Sequence, residues 1–231
     1  KYLYAIKSFV KGDSLIEKQI MLAESTLKQN LVLMVYFGNA GYLSTGTATK
    51  ERAKNTEEYI RRALEYAKAS DFADYTALAY SNLATLNNSN GLFNEAFKNA
   101  NLAFTTALNT NNDSVKVVTA IQLGNIYQQR SDVLMAFKTF MNAQNIAILD
   151  GGETLLPLVY HAIAGLYKKL GKEETAKRYI HQSLAINKKN ANIEGQVNDN
   201  IFLAKLNNYL ARKEYLQQAV LLADSVQNVP L

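Results

Sequence analysis

The chain has 231 residues, 48% of them apolar, with two prolines and no cysteine. That length is long for one compact core but ordinary for a repeat array, and the missing thiols exclude disulfides, thiolate metal sites and a cysteine nucleophile. A net charge of +5 is spread along the whole chain, whereas a nucleic-acid binder would concentrate it, so no nucleic-acid partner is expected.

Low Pro and Gly leave long stretches free to be helical. Residues 1–36 form the first predicted repeat, with Tyr4, Ala5, Ser8, Ile16, Ile20 and Ala23 as its packing positions. Gly12-Asp13-Ser14 reads as a turn there, and Ser14 with Glu17 as a capping box. Lys1 reads as lying inside a helix already begun, so the chain is expected to be a piece of a longer protein. The run Leu31–Phe37 falls far short of the roughly 18 apolar residues a membrane span needs. No membrane insertion is expected within this fragment.

The second repeat, 37–76, places Leu43, Ser44, Thr47, Thr56, Ile60 and Ala63 in the same slots. Glu57 and Glu58 are expected in a first helical turn, where the helix dipole favours acids. In the third, 77–116, the slots hold Leu83, Ala84, Asn87, Ala96, Ala100 and Ala103, with Asn90-Gly91 as the turn. The fourth, 117–156, is the clearest: Leu123, Gly124, Tyr127, Ala136, Phe140 and Ala143, broken at Ser131-Asp132. Asp and Ser are expected to cap the helix that follows, and Gly to end the one before. Gly151-Gly152 reads as a turn ahead of Pro157 and not as a phosphate cradle.

The fifth repeat, 157–196, has Ile163, Ala164, Tyr167, Ala176, Ile180 and Ser183, a turn at Gly171-Lys172, and Glu173 and Glu174 opening its second helix. It also carries the densest basic stretch, Lys168 to Lys189, which reads as a solvated face. The sixth, 197–231, offers Leu203, Ala204, Asn207, Leu216, Val220 and Ala223. Six sets in one 40-residue register predict helix pairs. A large residue beside a small one lets two backbones approach while one side chain interlocks, and Ala136, Phe140 and Ala143 form a single stripe on the second helix.

These residues resemble the tetratricopeptide repeat: a large–small pair, a Tyr, then Ala, an aromatic and Ala. Asn87 and Asn207 depart from the Tyr, and Thr56 and Leu216 from an Ala. The resemblance implies an all-α, right-handed superhelical solenoid of antiparallel helix pairs, about six repeats with the first and last incomplete. The family's usual repeat is roughly 34 residues. The extra residues are expected between each second helix and the next repeat, as in Asn109-Thr110-Asn111-Asn112-Asp113. Such longer repeats resemble those of kinesin light chains and of bacterial signalling proteins, including pheromone-binding regulators and the sensor regions of Bacteroidota-type histidine kinases. That likeness implies an extracytoplasmic location ahead of a cytoplasmic one.

In that family the first helix of each pair lines the concave groove. The expected partner-binding residues are therefore Asn82, Thr85, Gln122, Asn125, Gln129, His161, Lys168 and Lys205. Side-chain amides suit the backbone of an extended peptide, and lysines suit an acidic group; no acid appears among these residues. His161 and His181 fall on different helices and read as structural. No nucleophile–base set can be assembled, so no catalytic residue, metal or cofactor is expected. The expected function is a protein- or peptide-binding scaffold or sensory module of a larger signalling protein. The alternative is a peptide-gated transcriptional or phosphatase regulator of the pheromone-binding type. A homodimer is a further expectation, because exposed terminal repeats can stack on one another.

Overall fold

The structure is a computed structural model that describes residues 50–69, 71–149 and 153–227. The first repeat, with its capping box at Ser14 and Glu17, and the opening of the second lie outside the described residues. Among the described residues are nine α-helices, one 3-10 turn and no strand. None of these helices is long and apolar enough to cross a membrane.

Two compact bodies divide the chain between Asn111 and Asn112. The first contains α1 (Lys50–Ala69), α2 (Ala73–Ser89) and α3 (Phe93–Leu108), with α2 packed on both neighbours. The second contains α4 (Asp113–Gln129), α5 (Val133–Leu149), the 3-10 turn Glu153–Leu155, α6 (Leu156–Lys169), α7 (Glu173–Lys189), α8 (Ile193–Lys205) and α9 (Tyr209–Gln227). There, α4 pairs with α5, α6 with α7 and α8 with α9, and successive pairs meet through α5 on α6 and α7 on α8.

The 40-residue register reappears as a register of burial. Leu83, Leu123, Ile163 and Leu203 are buried, as are their small neighbours Ala84, Gly124, Ala164 and Ala204. So are the second-helix positions Ala96, Ala100 and Ala103, then Ala136, Phe140 and Ala143, then Ala176, Ile180 and Ser183. Gly124 shows why the small member must be small. A Cβ built there would overlap the Phe140 ring, 2.7 Å from Cδ1. The sixth repeat departs from the expectation: Leu216 and Val220 are 44% and 58% exposed. The packing partner of α9 is α8, and no described helix covers its opposite side.

The turns repeat as well. Leu92 donates its N–H to the Asn87 carbonyl, Asp132 to Tyr127, Lys172 to Tyr167 and Asn192 to Asn187, each at 2.8–2.9 Å. This is the six-to-one bond of a helix ended by a left-handed residue. Gly91 and Gly171 supply that residue with φ of 77° and 71°. Ser131 takes the glycine's place with φ 62°, so it ends α4 and does not cap α5 as expected. Asp132 is the cap, accepting from the Met135 N–H at 3.1 Å. Asn112 and Asn192 cap α4 and α8 in the same way.

Two other expectations are corrected. Helix α1 already runs at Lys50, so Glu57 and Glu58 sit beyond its first turn, where they pair with Arg61 and Arg62 one turn on. Glu173 and Glu174 do open α7. The long period is also not made by an inserted loop at every repeat. Only 109–112 separates α3 from α4 and only 190–192 separates α7 from α8, whereas 150–155, which includes the 3-10 turn, separates α5 from α6.

Two glycines on first helices make opposite predictions. Gly124→Ala gains helix propensity of about 1 kcal/mol but overpacks the Phe140 contact by about 1–3 kcal/mol, so a net loss is expected in urea titration. Gly165 has nothing within 4 Å of an added Cβ, so Gly165→Ala is expected to stabilise by about 0.5–1 kcal/mol. Ala191 holds φ 51° with a side chain; Ala191→Gly is expected to raise stability by about 0.5–1 kcal/mol, read as an upward shift in Tm.

Candidate functional site

The polar side chains of the second body converge where α6, α7 and α8 meet. Helix α8 starts at the Asn192 cap, and Gly195 in its first turn lets the Asn187 side chain pass. A Cβ at Gly195 would stand 2.5 Å from the Asn187 amide carbon. One turn on, Asp199 is fully buried. Its Oδ1 accepts from the Ser183 hydroxyl at 2.7 Å and meets His161 Nε2 at 2.5 Å, and its Oδ2 accepts from Asn187 Nδ2 at 2.7 Å. Asn192 Nδ2 donates to Asn187 Oδ1 at 3.0 Å, and Gln196 Nε2 to the Asn187 carbonyl at 3.3 Å. A carboxylate removed from water is strongly destabilising unless hydrogen bonds replace the water. Here donors from two other helices do so, tying α6 and α7 to α8.

Sequence reasoning missed this knot. It reads His161 both as a groove residue and as a structural histidine, and it does not single out Asp199, which lies on the same helix as Lys205. The signal was present. Stepping forty residues from Ala143, Ala147 and Val159 gives Ser183, Asn187 and Asp199. All six are buried, so three apolar slots, two in the fourth repeat and one in the fifth, each become polar one repeat later. Coordinated replacement of this kind reads as a hydrogen-bonded set.

Beside the knot lies a cleft of about 510 Å³. Pro157, Leu158, Ile201 and Phe202 give it an apolar wall, while His161, Lys205, Asn198, Asn192 and Thr154 supply polar groups. The His161 ring stands edge-on to Phe202 at 5.4 Å, and Lys168 Nζ lies 5.6 Å from the centre of the same Phe202 ring.

The structure thus brings together three of the expected site residues: His161 and Lys205 line the cleft and Lys168 stands over its wall. Gln122, Asn125 and Gln129 are on α4, outside it; Asn125 and Gln129 are exposed. The neighbouring Gln128 instead ties α4 to α6, its side-chain Nε2 donating to the Gly165 carbonyl at 3.4 Å and its backbone carbonyl accepting from Lys169 Nζ at 2.6 Å. Asn82 and Thr85 belong to α2 of the first body, and the Thr85 hydroxyl is turned onto the Ser81 carbonyl at 3.2 Å. In the basic stretch, Lys177 pairs with Glu174 and Lys189 with Glu153.

No protein-family model and no curated protein matches the chain. Solved structures do. BtubC from P. vanneervenii is 17% identical over 94% of both chains, with a TM-score of 0.63. A putative kinesin light chain with nearly identical tetratricopeptide-like repeats, from Podospora anserina, is 15% identical, with a TM-score of 0.53, over 85% of this chain and 99% of that one. A signal-transduction ATPase with a tetratricopeptide repeat sensor, from Pyrococcus horikoshii, is 14% identical with a TM-score of 0.66, over 96% of this chain and 34% of that one. At these identities the likeness is one of fold: antiparallel helix pairs of the tetratricopeptide-like solenoid kind.

The knot is expected to be a stability element. Asp199→Ala strands the Ser183 and Asn187 donors, each costing roughly 1–3 kcal/mol when buried without an acceptor. Urea denaturation is expected to show a loss of about 3 kcal/mol.

Proposed function

We propose that the second body is a binding module for an extended segment of a protein or peptide, held along the first helices of its repeats and anchored in the His161–Lys205 cleft. The observation that carries this reading is the composition of that cleft: an apolar wall built around Phe202, faced by the imidazole of His161 and the ammonium of Lys205. Apolar walls with a few placed polar groups are what ligand sites commonly present. An apolar side chain of the bound segment fits against Phe202 and Leu158, and an acidic group beside it fits Lys205 and Lys168. The exposed amides of Asn125 and Gln129 serve backbone groups further along.

The fold supports the same class of function, since one structure it resembles contains a tetratricopeptide repeat sensor. In this reading the module is a scaffold or sensory part of a larger signalling protein. Asp199 gives it a rigid floor, because a His161 side chain held by a buried carboxylate needs no ordering when a ligand arrives.

Selection from a random peptide display library, followed by fluorescence polarisation on the purified chain, is the direct test. Acidic–apolar peptides are expected to emerge. Lys205→Glu, and Asn125→Ala combined with Lys168→Glu, are each expected to weaken them by roughly tenfold or more, equivalent to about 1.4 kcal/mol. Thermal melting of these variants is expected to stay near that of the parent chain. Peptides that bind both variants as tightly as the parent would place the site elsewhere.

A further inference from the structure

The face of α9 turned away from α8 is an open apolar surface, with Leu216, Val220 and Leu221 all exposed. It forms a shallow groove of about 660 Å³, with Tyr209, Lys213, Leu216, Val220 and Leu221 among its lining residues. Leu216 and Val220 occupy slots that are buried in α3, α5 and α7, yet in α9 they are exposed while Ala219 is buried, so α9 turns these two side chains outward. Exposed apolar patches of this kind on an otherwise polar helix mark interaction surfaces.

The charges on the face say what covers it. Lys213 and Asp224 lie eleven residues apart in α9, which is three helical turns, so they share one face about 16 Å apart. That distance is too great for them to pair within the helix, and no ion pair to either is found among the described residues. Arg212, by contrast, is already used inside the fold, donating to the carbonyls of Ala204 and Asn207. Now lay a second α9 antiparallel on the first, with Leu216 of each against Val220 of the other. Lys213 of each copy then comes beside Asp224 of the other, twice, by symmetry. The pattern is self-complementary, as an isologous two-fold contact requires, and a generic apolar partner would give no reason for it.

We propose that this face docks a second copy of the same chain, through antiparallel α9 helices related by a two-fold axis near Gln218. One helix face is a modest interface, so the dimer is a weak one.

Sedimentation velocity over roughly 10 to 300 µM, the range suited to a contact of this size, tests it on the whole chain. The mass is expected to rise with concentration from 25.7 kDa towards twice that value. Lys213→Glu and Asp224→Lys each set like charges together and are expected to weaken association at least about tenfold. The double variant, with both charges exchanged, is expected to restore it. These positions are exposed, so unchanged circular-dichroism melts serve as the folding control. A chain that stays monomeric throughout the range overturns the proposal, and so does a dimer that the double variant fails to rescue.

Discussion

Two helix backbones lying close enough that one facing position must lack a bulky side chain is the constraint on which everything else here depends. Gly124 beneath the Phe140 ring is its sharpest case. With the backbones that close, a single large residue per layer fills the space between them, and alanines suffice elsewhere. The turns serve the same end. A left-handed residue after the first helix, followed at once by the cap of the second, reverses the chain within three residues. No slack is left that would let the helices separate.

The fifth and sixth repeats use that closeness differently. Where α5 offers Ala143 and Ala147, α7 offers Ser183 and Asn187, and α8 answers with Asp199 in place of an apolar residue. A buried carboxylate tolerates only a narrow set of helix positions, because losing any donor leaves a charge without water. The knot therefore exchanges adaptable apolar packing for one fixed arrangement of α6, α7 and α8. The same carboxylate orients His161 at the edge of the cleft. A structural demand in the core and a positioned side chain at the surface are two ends of one hydrogen bond.

Helix α9 shows the reverse side of a repeating design. Each second helix needs something on both of its apolar faces, and α9 has a described partner on one only. Its exposed Leu216 and Val220 break the register: the slot that sets Phe140 on Gly124 within the α4–α5 pair faces outward in α9, where Ala219 is buried instead.

How much of this was legible beforehand divides along the range of the interactions. Helix pairing, the packing slots and the positions of the turns were written in the sequence, since they depend on residues three, four or forty apart and on the φ preferences of Gly, Asn and Asp. Local pattern misjudged Glu57, Glu58 and Ser131, because where a helix starts and which turn residue is left-handed depend on the whole turn and not on one residue's preference. The expected groove row divided for a further reason. Surface amides such as Asn125 carry no packing signal, so sequence alone could not say which of them share a cleft. Only the tertiary structure decided that His161 and Lys205 line one cleft, that Asp199 sits buried behind it, and that Leu216 faces outward. Each of those outcomes rests on contacts between separate helices, whose distances the chain fixes only when the helices pack.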